Sequence, residues 1–263
     1  MANNLLETSA VTRRFGGLVA VQNVDYKLPK GIIASIIGPN GAGKTTFFNL
    51  LVGIYRPSEG TIRFDGELIA DKTRNLVPHQ VVKRGMARTF QNIRLFGQTS
   101  VLENVLVGLH SRIQSSVVAN LLRLPSARAE ERRLIDKAME MLHFVGLGDQ
   151  AERGARNLPY GHQRLLEIAR ALASEPQLLL LDEPAAGMNP TETAQLIELI
   201  RRIKGLNVTV LLIEHDIRLV MEISDQVTVF DHGQKISEGT PQEVSHDPKV
   251  IEAYLGPGED NHG

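Results

Sequence analysis

At 263 residues, 42% hydrophobic and 22% charged, the chain has the composition of one sizeable globular domain or two modest ones, which excludes collagen-like, mucin-like and wholly disordered classes. Its formal net charge is −1, from 29 Lys+Arg against 30 Asp+Glu, so no basic excess points to nucleic acid as a partner. With no cysteine it has no disulfide, thiolate metal site or cysteine nucleophile, and it suits a reducing compartment.

The opening residues, MANNLLETSAVTRRFGG, carry no basic-then-apolar leader, so export is not expected. No apolar stretch reaches the roughly 18 residues of a membrane span, so work at a membrane requires another chain to hold this one there. GIIASIIG, from Gly31 to Gly38, is a short β-branched run closed by glycine and predicts a buried strand. A helix is expected from Thr45 to Val52, a strand and turn at TIRFDGE, and a short strand at MARTFQ, which starts at Met86. From about Val101 the pattern turns helical in VLENVLVGLHS. It is helical again in ARAEERRLIDKAMEMLHFVGL, where Leu134, Ala138, Met141 and Leu142 share one face. Between them IQSSVVANLLRLPS fits neither period and is broken by Pro125. Residues 92–165 therefore read as a helical subdomain inserted into an α/β core formed by residues 1–91 and 166–263.

The core resumes with the amphipathic helix HQRLLEIARALAS and the apolar strand QLLLLDEP, which ends in acid. Asn189, Pro190 and Glu192 open the next helix as a capping box with proline at its first position. A strand from Asn207 to Ile213 follows, then a hairpin VTVFDHGQKISEG turning at His232-Gly233. PQEVSHDPKVIEAYLG makes one or two short helices, and residues 257–263 are expected to fray. There is no long repeat and no low-complexity segment.

Two motifs carry chemistry. Gly38-Pro39-Asn40-Gly41-Ala42-Gly43-Lys44-Thr45 fits G-x-x-x-x-G-K-[ST], with Thr46 in the first turn beyond it. Glycines let the backbone N–H groups curl inward, and the loop runs into a helix N-terminus that favours anions. Lys44 reaches the β- and γ-phosphates as a point charge, and Thr45 offers a hydroxyl to Mg²⁺. The bland alternative, a glycine-rich turn with a solvated lysine, is opposed by the strand before it and the helix after it. The second motif is Asp182-Glu183 at the end of the buried strand Leu178–Leu181, where ligands of parallel sheets sit. Asp182 suits Mg²⁺, directly or through water, and Glu183 suits orienting or deprotonating a water. A plain polar strand end is the alternative, and the phosphate loop beside it weighs against that.

These motifs admit kinases, GTPases, helicases and transport ATPases. The order of the other pieces narrows the choice: Phe15 ahead of GGLVAVQNV, Gln91 in TFQN, Leu158-Pro159-Tyr160-Gly161-His162-Gln163 before the acid strand's helix, Gly187-Met188-Asn189 after the acid pair, and His215 in LLIEHD. In this order and spacing the chain resembles the ATP-binding subunits of ABC transporters over nearly its whole length. Within them it is similar to the larger ATPase subunit of high-affinity branched-chain amino acid importers, on RFGGLVAV, TFQNIRLF, YGHQRLLEIARAL, LDEPAAGMNP and IEAYLG. Subunits serving urea, amides or lipopolysaccharide share several of these strings.

The resemblance implies a P-loop NTPase fold with a RecA-like core, an inserted helical subdomain and an N-terminal antiparallel β region. It implies ATP and Mg²⁺, the latter met by Thr45, Gln91 and Asp182. Two ATP-binding subunits would face head to tail, a heterodimer being favoured over a homodimer. Each ATP would lie between one subunit's phosphate loop and the partner's signature segment Leu158–Gln163, with Gly187, Met188 and Asn189 at the interface. Phe15 would stack on adenine, unless it is a core aromatic. His215 would contact the γ-phosphate, unless it is structural. Glu183, His215 and Gln91 would serve hydrolysis. Two integral-membrane permeases would hold the subunit on the cytoplasmic face of the inner membrane, with an extracytoplasmic binding protein involved indirectly. Phe90, Ile93, Leu95 and Phe96 would line the permease-docking groove or else the subdomain core.

Two departures stand out. Where the family's LSGGQ segment has serine, this chain has Pro159, which lacks both hydroxyl and backbone N–H. Asn189 stands where many relatives carry aspartate. A non-transport ABC-type ATPase is opposed by the single phosphate loop and the lack of cysteine or sustained heptads. A small-molecule kinase fits Glu183 and the motifs around it less well, and a GTPase lacks N-K-x-D.

Overall fold

The β-branched and leucine-rich runs form the middle layer of the molecule. The computed structural model describes residues 4–91, 93–109 and 125–255. A six-stranded sheet runs in the order β10-β9-β3-β8-β7-β6. Its strands are β3 (Ile33–Ile37), β6 (Met86–Arg88), β7 (Leu178–Asp182), β8 (Thr209–Ile213), β9 (Gln226–Asp231) and β10 (Gln234–Gly239). All neighbours pair parallel except β10, which returns antiparallel along β9. Strands buried on both faces need no polar alternation, which is why β7 is Leu178-Leu179-Leu180-Leu181 with every side chain fully buried.

Each face of this sheet has its own core. Leu179, Leu181, Val210 and Leu212 point to helices α3 (Val101–Leu109), α4 (Pro125–Phe144), α5 (Tyr160–Ala173) and α6 (Pro190–Gly205). Leu178, Leu180, Leu211 and Ile213 point the other way, to α1 (Lys44–Leu51) and a four-stranded antiparallel sheet. That second sheet, ordered β2-β1-β4-β5, comprises β1 (Asn4–Phe15), β2 (Leu18–Pro29), β4 (Glu59–Phe64) and β5 (Glu67–Asp71). It is the N-terminal antiparallel region expected above. Short helices α2 (Pro78–Lys83), α7 (Ile217–Ile223), α8 (Pro241–Ser245) and α9 (Pro248–Leu255), with 3-10 turns at Gly148–Gln150 and Ala155–Asn157, are the other helical elements among the described residues. Among the described residues no helix is long and apolar enough to cross a membrane.

Most elements lie where the sequence puts them, and the differences have local causes. MARTFQ is strand only at Met86–Arg88. After Thr89 donates to the Leu180 carbonyl, the chain leaves the sheet, and the next carbonyls are taken by the Arg164 side chain. Pro125, expected as a breaker, is the first residue of α4, where a missing N–H costs nothing. Residues 113–124 and the tail 257–263 lie outside the described residues, as do the last two residues of VLENVLVGLHS. Helices α2 and α7 were not anticipated, although Asp216 caps α7 by accepting the N–H groups of Arg218 and Leu219. The boundary expected at 165 falls within α5, which is continuous from 160 to 173.

Candidate functional site

Four parallel strands end on the same edge of the central sheet, and each delivers one part of the site. Gly38 follows β3, Gln91 comes three residues after β6, Asp182-Glu183 close β7, and His215 comes two residues after β8. Asp182 pairs in register with Ile213, so the acid pair and the histidine start from the same level of the sheet. A cavity of about 690 Å³ opens there, lined by Phe15, Asn40–Thr46, Gln91, Glu183 and His215 together with Leu18, Val19, Ala20, His232 and Gly233.

The phosphate loop is held shut by its own lysine. Lys44 is 5% exposed, and its ammonium donates to the carbonyls of Gly38 (2.7 Å) and Pro39 (2.8 Å). Burial pushes its pKa down, while the carboxylates of Glu183 and Asp182 act in the opposite sense. Gly43 caps α1 with φ 94°, and a Cβ there would lie 2.4 Å from the Ala20 carbonyl oxygen. Only glycine fits that turn. Thr45 and Gly41 are exposed toward solvent.

Asp182 is 1% exposed and pairs with Arg88 at 2.5 Å through Oδ2. Arg88 also donates to Asn49 Oδ1 at 2.6 Å. The other carboxylate oxygen, Asp182 Oδ1, is buried and has no hydrogen-bond partner among the described residues. An orphaned carboxylate oxygen beside a phosphate loop fits a divalent cation that uses one carboxylate plus substrate phosphates. No group of three His, Cys, Asp or Glu side chains able to hold a metal ion exists among the described residues.

Glu183 adopts the left-handed region at φ 48°, which turns its carboxylate toward its neighbours. Gln91 Nε2 donates to Oε2 at 3.0 Å, and His215 Nε2 lies 2.6 Å from Oε1. The three residues named for hydrolysis are thus one hydrogen-bonded set. Beneath them Glu214, 4% exposed, accepts the N–H of Ala185 (2.8 Å) and of His215 (3.1 Å), tying the loop after Glu183 to the histidine. Burial pushes the Glu214 carboxyl up, against those backbone bonds.

Phe15 is 37% exposed at the cavity mouth, not a core aromatic. It meets Tyr55 edge-on at 5.2 Å, and the Arg13 guanidinium lies 4.5 Å from its ring centre. Of the four aromatic and aliphatic residues expected in a docking groove or core, Leu95 packs into the helical-side core and Phe96 is 52% exposed. Phe90 lines a separate apolar cleft with Ile54, Val81 and Met86.

The signature segment and the interface residues do not line the phosphate cavity. Pro159 is the N-cap of α5, with no side-chain capping bond, so the first-turn N–H groups at Tyr160 and Gly161 have no intrahelical partner. Gln163 Nε2 donates to the Leu158 carbonyl at 2.9 Å, and His162 Nδ1 lies 3.1 Å from Gln150 Nε2. A Cβ on Gly161 would sit 2.6 Å from Glu192 Oε1, so a side chain there would displace the Glu192 carboxylate. Asn189 caps α6: its side chain accepts from Glu192 N–H at 3.0 Å, and Glu192 accepts from Asn189 N–H at 2.9 Å. Gly187 abuts the Tyr160 ring, and Met188 packs partly buried against the helical-side core.

The residues that sequence reasoning missed are Arg88, Arg164, Glu167 and Glu214. Each is a charge on a face that should be apolar, and that misfit was the available signal.

Comparison with known proteins gives a consistent picture. The ABC transporter family matches residues 21–186, and the branched-chain amino acid ATP-binding cassette transporter family matches residues 234–256. The high-affinity branched-chain amino acid transport ATP-binding protein BraF of Pseudomonas aeruginosa is 47% identical over 97% of this chain and 99% of its own length. LivG of Escherichia coli K12, a protein of the same description, is 46% identical over 97% of this chain and 99% of its own. A crystal structure of a nucleotide-free ATP-binding cassette from an ABC transporter superposes with a TM-score of 0.83 at 32% identity, covering 97% of this chain and all of that one.

Proposed function

The chain belongs to the ABC transporter ATP-binding family, and on that premise we propose that it is the ATPase that powers uptake of branched-chain amino acids through a membrane permease. The carrying observation is the convergence of the Lys44 loop, Gln91, the acid pair and His215 on one edge of the sheet. The match of residues 234–256 and the two relatives' descriptions favour branched-chain amino acids over urea, amides or lipopolysaccharide.

The residues divide the work by chemistry. Phe15 stacks on adenine, with Arg13 and Tyr55 fixing its ring. Backbone N–H groups from Asn40 to Thr46 and the α1 N-terminus cradle the phosphates, and Lys44 exchanges its carbonyl bonds for phosphate oxygens. Thr45, Gln91 and Asp182 would hold Mg²⁺, whose charge offsets that of the β- and γ-phosphates. Glu183 orients the attacking water and takes its proton at a carboxylate oxygen. The water oxygen bonds to the γ-phosphorus as the β–γ bridge breaks, giving ADP and phosphate. His215 and Gln91 keep Glu183 in place and meet the γ-phosphate side of the cavity.

One subunit supplies half of each site. Tyr160 and Gly161, at the start of α5, do not line their own phosphate cavity, and first-turn N–H groups there suit the γ-phosphate of a facing subunit. Gly187, Met188 and Asn189 flank that contact. ATP therefore joins two subunits, a heterodimer being favoured, and its hydrolysis separates them. The phosphate charge supplies the differential affinity that such a switch requires. Two permeases hold the pair on the cytoplasmic side, and a binding protein delivers substrate from the other.

The test is uptake and hydrolysis in vesicles holding the permeases and the second ATPase subunit. Wild-type protein should couple ATP hydrolysis to leucine uptake, and Lys44→Ala should abolish both. Unchanged hydrolysis in Lys44→Ala discards the phosphate-loop role. Uptake of urea but not leucine discards the substrate class.

A further inference from the structure

Helix α5 starts at the signature segment and should bury an apolar face. Instead it buries Arg164, 1% exposed, and Glu167, whose side chain is wholly buried. A guanidinium taken out of water needs partners at nearly every N–H. Arg164 finds them for both terminal nitrogens, chiefly in the loop after β6, while its Nε has no partner among the described residues. Nη1 donates to the Phe90 carbonyl at 2.6 Å and to Glu167 at 3.1 Å, and Nη2 donates to the Gln91 carbonyl at 2.5 Å and to the Tyr160 hydroxyl at 3.4 Å. Glu167 accepts the Arg94 N–H at 2.8 Å, and Arg170 donates to the Arg94 carbonyl at 2.5 Å. Three side chains of one helix thus hold four backbone groups, on Phe90, Gln91 and Arg94.

The loop so held carries Gln91, whose side chain reaches Glu183. The helix that holds it begins one turn earlier at Tyr160 and Gly161. Tyr160 in turn packs close to Gly187, in the loop that follows Glu183: a Cβ on that glycine would lie 3.0 Å from the tyrosine ring. The connections close a ring: Glu183, its own loop, Tyr160, Arg164, the Gln91 backbone, the Gln91 side chain and back to Glu183.

We infer that Arg164 is a positioning residue that locks Gln91 to the signature helix, so that a shift of that helix on meeting a partner's nucleotide moves Gln91 in this subunit's own site. The inference rests on the proposed function, in which the signature segment serves the facing site. The two nucleotide sites are then coupled through this buried side chain, with Glu167 and Arg170 holding the same loop. The coupling needs the planar fork of arginine, because two successive carbonyls are bridged from separate nitrogens. Lysine keeps the charge and loses the bridge.

A double-mutant cycle on the reconstituted transporter tests this. Arg164→Lys should lower kcat for ATP by about tenfold, as expected for loss of a charge-assisted bridge, with KM within about twofold of wild type. It should also remove cooperativity in ATP concentration. In a Gln91→Ala background the same change should cost less than about twofold, because its target is gone. A full tenfold fall in both backgrounds, or wild-type kcat and cooperativity in Arg164→Lys, overturns the inference. Wild-type turnover in Gln91→Ala overturns the site reading beneath it as well, which separates the two failures. If Arg164→Lys does not fold, Glu167→Gln loosens the same loop while keeping its volume. It should lower kcat only when Gln91 is present, and an equal fall without Gln91 refutes the coupling.

Discussion

The imidazole Nε2 of His215 lies 2.6 Å from one carboxylate oxygen of Glu183, and the other oxygen accepts from Gln91 at 3.0 Å. Both oxygens of one carboxylate are therefore engaged by residues from neighbouring strand ends. Each oxygen keeps a second lone pair, with which it can accept a proton from a water in the cavity. Glu183→Gln keeps the shape and removes the basicity. It should lower ATP hydrolysis by about 10²–10⁴-fold, the usual contribution of a general base. ATP binding should survive, and ATP should trap a dimer visible by light scattering. Hydrolysis at the wild-type rate would remove Glu183 from the water-orienting role.

Asp182 plays two parts, and they can be separated. Its Oδ2 pairs with Arg88, and its Oδ1 has no partner among the described residues, which leaves it for the cation proposed above. Asp182→Asn leaves the Arg88 charge buried, which should cost about 3–5 kcal/mol in urea unfolding. The same variant should need a higher Mg²⁺ concentration for half-maximal hydrolysis. A stability loss with an unchanged Mg²⁺ dependence would leave Asp182 as a partner of Arg88 alone.

How legible this site is in the sequence depends on the range of each interaction. The phosphate loop and Asp182-Glu183 are local patterns, in which spacing alone fixes geometry, and the chain displays both. The capping box at Asn189 and Glu192 is read just as directly, and its two bonds are present. Besides their near neighbours, Arg164 and Glu214 act across 73 or 74 and 29 residues of sequence, and nothing local announces those distant partners. MARTFQ shows the same limit from the other side. Its composition favours strand throughout, but Arg164 takes the Phe90 and Gln91 carbonyls and ends the strand at Arg88. In β1 and β2, register shifts around Thr8–Val11 and Val11–Arg13 blur the alternation that would otherwise mark two long strands.

Pro159 sets up a gain-of-function test. It caps α5 at φ −54° and ψ 154°, angles that serine adopts freely, yet it offers no capping oxygen. Pro159→Ser supplies one to the N–H of Gly161 or His162, which should stabilise the chain by about 0.5–2 kcal/mol. In the proposed dimer the hydroxyl would also add a bond to the facing nucleotide, worth about 1.5–3 kcal/mol where charge-assisted. Turnover should rise by about tenfold or more. A more stable protein with unchanged turnover would mean that the backbone N–H groups suffice.

Glu214 makes stability depend on pH in a defined direction. Burial raises its pKa above the ordinary 4.5, chiefly by desolvating the carboxylate, while backbone N–H bonds from Ala185, His215 and Asp216 oppose the rise and the Glu183 charge adds to it. The folded state therefore holds the proton more tightly than the unfolded state. This contribution is fully present below the unfolded value and is lost as pH rises through the folded one. Glu214→Gln cannot titrate, so it isolates the effect. As pH falls from about 7 toward 5, wild type should gain stability relative to Glu214→Gln in chemical unfolding, whatever the offset between them at neutral pH. A difference that stays flat, or shrinks on acidification, would mean that the bonds from Ala185, His215 and Asp216 outweigh desolvation and hold Glu214 as a stabilised carboxylate.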